Sequence, residues 1–360
     1  MIYVLSEALL YVCFALLTGA CVLAIVPERK KPIIQMSDTI LTWAVLGIVV
    51  LSSVQVIKLI IFFRVNLGYE IGYITFTVLS DYKIGNAWFV TIFAAMGILY
   101  FLGLKPDSKM LSYKWIGISV FNFFLVLAMG WASHSATVHE WIGFAAHTLH
   151  FLAAIVWIGV MLVIGWFVKE VVHWTAFLRW FTPLAIGCVL VTIAAGLLLM
   201  SKVTPNYLNS WISSYGQAML IKHLLIVPIL GLALLNTFLF RKVASNPLPW
   251  LKTEGIFVVV LFAVTAFMGQ QSPVHEDLEE FIKEVGPSPL FLSVAGNDLK
   301  QVIPLSFSPD ALSITLFLIA VLGLYIGLYM AWKKQRTLWS LAASAFFVVC
   351  GYLSLMFAVA

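Results

Sequence analysis

The chain has 360 residues, 62% of them hydrophobic and only 10% charged, with a formal net charge of +5 and a mean hydropathy of +1.03. Soluble domains run at about 45–50% apolar and about 25% charged residues, so a water-soluble surface is excluded and the bilayer is the solvent. Cys13, Cys21, Cys188 and Cys350 each fall inside an apolar run with no Cys-x-x-Cys pair, which argues against a disulfide framework or zinc knuckle; the basic balance follows membrane topology and implies no nucleic-acid partner.

The first apolar run, over about 3–26, contains Glu7, lacks a positive n-region and ends in Pro27-Glu28-Arg29-Lys30-Lys31. It reads as a spanning helix that stays in the protein, not as a cleaved signal. Further runs of roughly 20 apolar residues, the length that crosses about 30 Å of hydrocarbon, follow at about 39–62, 87–104, 115–132, 141–168, 180–200, 217–240, 254–270, 311–332 and 337–358. The predicted fold is an all-α polytopic membrane protein of about ten transmembrane helices.

Charge sets the direction. The odd-numbered connections carry Arg29, Lys30, Lys31; Lys105, Lys109, Lys114; Lys169, Arg179; Arg241, Lys242, Lys252; and Lys333, Lys334, Arg336, fourteen of the 21 basic residues. The even connections are poor in Lys and Arg, and the largest, 271–310, holds seven acids against Lys283 and Lys300. By the positive-inside rule both termini lie outside the cytoplasm.

Ile84-Gly85-Asn86-Ala87 and Tyr215-Gly216-Gln217-Ala218 open the third and seventh spans with the same Gly-x-Ala pattern, 131 residues apart. Two parallel four-helix repeats, spans one to four and five to eight, would produce this; ordinary interfacial loop composition would too, and both readings stand. The chain then divides into an eight-helix membrane domain over 1–270, an extracytoplasmic acidic loop over 271–310 and a C-terminal two-helix hairpin over 311–360.

With this orientation six of the seven histidines fall on the outer side. His134 and His139 lie in the turn before the fifth span, and His147 and His150 follow within that span, about 9 and 13 Å past Trp141 at about 1.5 Å per residue. His223 sits near the outer start of the seventh span and His275 just past the outer end of the eighth; only His173 is cytoplasmic. Met129, Met200, Met219, Met268 and Met356 also fall at outer helix ends. Imidazole with thioether and no external cysteine suits copper, above all Cu(I). Taken singly, a membrane histidine that bonds a neighbouring helix or a methionine that packs against lipid explains as much.

His147 and His150 are three apart and adjacent on one helix face; Glu140, seven before His147, and Trp157, seven after His150, extend the stripe. Polar groups at that depth mark an internal pathway or site. In the seventh span Met219, Lys222 and His223 share a face, with Lys222 either snorkelling to the interface or attracting a carboxylate or haem propionate. Glu254 opens the eighth span, where a carboxylate favours a helix N-terminus or serves as an inner exit ligand.

At Ser133-His134-Ser135-Ala136, at His150-Phe-Leu-Ala-Ala-Ile-Val-Trp157-Ile-Gly159, at Tyr215-Gly216 followed by Lys222, and at Asn236 to Arg241, the sequence resembles the CopD family of bacterial copper-resistance membrane proteins, over about residues 1–275. His134 stands one place earlier than the family histidine, and Val160 replaces the family's second glycine. The resemblance implies a multi-pass protein of the bacterial cytoplasmic membrane that moves copper across it or loads copper at it. Lipid is then its surroundings, and any extracytoplasmic copper-binding donor would be a separate protein, since no CopC-like β-sandwich is fused to this chain.

Three functions follow. The first is copper transport, in the import direction, with His134, His139 and His275 capturing the ion and His147, His150, Met219 and His223 holding it; no nucleotide-binding loop is visible to drive this with ATP. The second is a haem b redox protein, a copper reductase or electron carrier, with His147 or His150 and His223 as axial ligands; only this reading makes the chain an enzyme. The third is delivery of copper to an extracytoplasmic cuproenzyme, with 271–310 as the docking surface.

Overall fold

A computed structural model describes residues 1–105, 110–239, 246–274, 278–295, 304–334 and 336–359. Among the described residues ten helices are long and apolar enough to cross a membrane. The protein is an all-α polytopic membrane protein, as the run lengths predict, and its chain forms two compact units, Met1–Lys202 and Val203–Ala360.

The first unit begins with α1 (Ile2–Ile25), followed by a two-residue strand β1 (Ile33–Ile34) and α2 (Asp38–Leu67). Ser37 caps α2 by accepting from the Ile40 N–H at 3.4 Å, Asp38 favours the same positive helix end, and Gly68, at φ 72°, ends the helix in the left-handed region that glycine adopts without strain. A short helix, α3 (Ile71–Ser80), leads into α4 (Lys83–Gly103) and α5 (Leu111–Trp131). The five-residue α6 (His134–Val138) precedes α7 (Glu140–Phe167), after which β2 (Val168–Glu170) turns the chain into α8 (Trp174–Val203).

The core of this unit is α7, whose apolar window is 72% buried, against 11% for α8. Helix α1 crosses α7 where Gly19 and Gly159 meet: a Cβ on either would overlap the other helix's backbone. This is the close approach that small residues permit between membrane helices. Polar ties mark the ends of the bundle. Strands β1 and β2 pair antiparallel, Ile33 with Glu170, and Trp180 donates to the Lys30 carbonyl at 2.9 Å. Lys114, buried at the start of α5, donates to Asp38 at 2.8 Å and to the Leu102 and Leu104 carbonyls. At the other end Lys83 donates to the Ala136 carbonyl at 2.8 Å, lies 3.6 Å from Glu140 and sits 4.5 Å over the Trp131 ring.

The second unit comprises α9 (Tyr207–Ser210), α10 (Ser214–Leu239), α11 (Leu248–Gly269), α12 (Leu278–Glu284), α13 (Pro289–Ala295), α14 (Ala311–Lys334) and α15 (Thr337–Phe357). Helices α14 and α15 form a hairpin closed by Gly327 against Ala343, and α15 packs on α10. The described part of 271–310 contributes to this core: Phe291 and Leu305 pack with Trp211, Leu224, Phe347 and Tyr352. Leu305 N–H donates to Asn209 Oδ1 at 2.9 Å and Ser288 N–H to the Ile212 carbonyl at 2.7 Å.

The two Gly-x-Ala segments share a structural reason. A Cβ at Gly85 would overlap the Val78 carbonyl, and one at Gly216 the Ser210 carbonyl, so each glycine lets a short preceding helix turn directly against the start of a spanning one. Gly143 does the same against Ser135 after α6, and Gly143-Phe144-Ala145 repeats the Gly-x-Ala spacing.

Candidate functional site

The histidines of the first unit cluster along α6 and α7. Ser133 caps α6 by accepting from the Ala136 N–H at 3.2 Å, which fixes the turn and leaves His134 exposed at its first position. His139 stands between the two helices with Nε2 3.3 Å from the Lys202 carbonyl. Glu140 is largely exposed and turned to Lys83, while Trp157 is buried. The predicted stripe therefore has different environments at its two ends.

His147 and His150 are adjacent in spacing but address different helices. His147 stacks on Phe151, ring centroids 6.3 Å apart, and Phe151 meets Tyr11 at 5.9 Å and Phe14 at 5.1 Å on α1. Tyr11 donates to Glu7, whose other oxygen accepts from Gln55 Nε2 of α2 at 3.3 Å. Across the Phe151 ring from His147 there is therefore an acid–phenol–amide cluster that the sequence did not reveal. Its one visible signal was Glu7, a carboxylate inside an apolar run.

His150 turns the other way. Its Nδ1 lies 2.9 Å from the Thr192 carbonyl of α8, and Gly196, one turn along, leaves room for the ring. A carbonyl only accepts, so Nδ1 carries the hydrogen and the lone pair of the neutral ring is on Nε2. Anchoring of one ring nitrogen to a backbone carbonyl is how metal-ligating imidazoles are held in tautomer and orientation.

The remaining candidates are in the second unit. His223 is exposed and Tyr207 holds its Nδ1 at 2.9 Å, with the rings 5.7 Å apart. Met219 is buried, so the expected shared face of Met219 and His223 is divided between core and surface. Lys222 is half-buried. His275 lies outside the described residues. Tyr207, beside His223 in the short α9, has its hydroxyl pushed up from the ordinary phenol range by burial. Among the described residues no group of three or more His, Cys, Asp or Glu side chains stands together as a ready metal-binding set. Among the predicted ligands in the first unit, the structure brings histidines to α6, α7 and the facing carbonyls of α8.

Fold and side chains together define a class: a polytopic helical membrane protein with imidazoles set into and beside its most buried spanning helix. Residues 175–268 match the family model described as Copper resistance protein D, a stretch that runs through α8, α10 and most of α11. The chain is also 26% identical, over 326 residues and 85% of its length, to the Copper transport protein CutJ of Bacillus subtilis (strain 168), and it spans 57% of that relative's length. No solved structure matches.

Proposed function

We propose that this chain carries copper inward across the cytoplasmic membrane, with its histidine-bearing ends facing out. The observation that carries the reading is His150, anchored through Nδ1 to the Thr192 carbonyl at 2.9 Å with its lone pair on Nε2, one turn from His147 on the most buried spanning helix. Imidazole donors held this way suit copper. The copper descriptions of the matching family and of the similar Bacillus protein support that choice of ion. His134 and His139 lie at the same end of α7 and serve as capture ligands. The bias of Lys and Arg to the odd-numbered connections supports the orientation.

The test is copper accumulation by vesicles containing the full chain. Wild-type protein accumulates copper, and joint replacement of His147 and His150 by alanine lowers the flux at least about tenfold. Equal flux in the double variant overturns the reading. An absorption spectrum of the same preparations separates the haem b alternative: a reduced-minus-oxidised α band that His150→Ala removes would assign these histidines to haem instead.

A further inference from the structure

The copper reading leaves one buried carboxyl unused among the described residues. Glu254 on α11 is 2% exposed, six residues in from Leu248, about 9 Å along the helix. Asn236 on α10, itself 6% exposed, donates from Nδ2 to Glu254 Oε2 at 2.6 Å. The other end of that amide, Oδ1, is buried without a hydrogen-bond partner. Among the described residues no ion pair includes Glu254.

Among the described residues the charged and titratable groups nearby are few; Arg241 and Lys242 lie outside them. Helices α10 and α15 pack against α11. On α10 the titratable residues are Tyr215, Lys222 and His223, all within its first ten positions; the nearest is thirteen residues from Asn236, about 20 Å along the helix. Cys350 and Tyr352 of α15 belong to that same distant end, since Tyr352 donates to Gln217 of α10 at 2.5 Å. Lys252 is exposed on the opposite side of α11, and Arg336 is exposed at the N-cap of α15.

An ionised carboxyl this deep, faced among the described residues only by a neutral amide, is expensive to keep. A carboxylic acid relieves that cost and supplies what the site lacks. Its O–H is the donor that Asn236 Oδ1 is missing, while the amide N–H continues to donate to the second carboxyl oxygen. Acid and carboxamide then match, donor to acceptor, on both sides of the pair.

We propose that Glu254 and Asn236 form a proton-binding site inside the second unit. The ligand is a proton, held on the carboxyl oxygen and shared toward the amide carbonyl; only the O–H bond forms or breaks as it binds and leaves. Resting on the copper reading, its use is charge balance: a chain that moves a cation one way returns a proton through this pair.

Infrared difference spectroscopy of the full chain in lipid, near neutral pH and free of copper, reads the site directly. The expected result is a protonated-carboxyl C=O band that disappears in Glu254→Gln, shifts in Asn236→Leu, and is unchanged when sodium chloride replaces choline chloride. A wild-type spectrum with no Glu254-dependent band overturns the proposal. So does loss of the band on adding sodium, which would make the two oxygens a metal-cation site. If Glu254→Gln fails to fold, Asn236→Leu decides alone, an unmoved band counting against the pair. Copper is absent throughout, so failure of the copper reading and failure of the proton site are seen separately.

Discussion

Gly196 sits under the ring of His150, where a Cβ would lie 3.2 Å from Nδ1 and Cε1. Gly196→Ala should push the ring off the Thr192 carbonyl without emptying the core. We expect copper affinity to fall by about tenfold, the usual scale for losing the contact that orients a metal-binding imidazole, with little change in melting temperature; unchanged affinity would separate His150 from the proposed site. Gly159 behaves oppositely. Its Cβ would overlap the Ala15 carbonyl of α1, so Gly159→Ala should destabilise the first unit by about 2 kcal/mol or more by overpacking, read as a lowered melting temperature at unchanged copper stoichiometry per folded molecule. The histidines and this glycine were all legible as unusual residues in one segment. The helix each faces was not: His147 and His150 differ by about 60° around α7, and which neighbour fills each direction is decided by packing far away in sequence. Glu7 shows the limit by halves: Tyr11, four residues on, reaches it within α1, whereas Gln55 arrives only through the packing of α1 against α2.

The long helices were readable because bilayer thickness dictates their length and composition. The short ones, α3, α6, α9, α12 and α13, were not, since they lie where no hydrophobic run is required; α3, α6 and α9 are opened instead by side-chain caps from Glu70, Ser133 and Asn206. Helix α3 is the clearest case. Glu70 accepts from the Gly72 and Tyr73 N–H groups at 3.0 and 2.7 Å, and these bonds, with Arg64 nearby, hold its carboxyl below the usual range. The folded-state value lies below the unfolded one, so the cap's contribution is present above the ordinary carboxylate pKa and is lost as pH falls through the lowered value. Hydrogen-exchange protection at Gly72 and Tyr73 should therefore drop on acidification through that window. Glu70→Gln should show weaker protection already at neutral pH and no such step; a loss of protection on the alkaline side would contradict this. The Gly-x-Ala segments were visible as a pattern, but their cause, a helix start abutting the carbonyl of the preceding short helix, needed coordinates.

Across the whole molecule the connections fall as their charges predict within the first unit. The first and fifth connections, both basic, pair as β1 and β2, and Lys114 joins the third connection to the start of α2. Lys83, before α4, reaches α6 at the other end. One missed span would have broken this parity. Single cysteines at exposed Gln35 and Thr137, in a chain whose native cysteines are replaced by alanine, should therefore be labelled from opposite sides of the membrane: Gln35→Cys from the cytoplasm and Thr137→Cys from outside. Labelling of both from one side would refute the topology. The proposed function stands on the imidazoles of α7, and copper bound by the purified full chain tests that proposal most directly. After desalting, elemental analysis should find copper retained by the wild type and reduced at least about tenfold in the His147→Ala, His150→Ala double variant; equal copper in the two, or none in the wild type, would contradict the account.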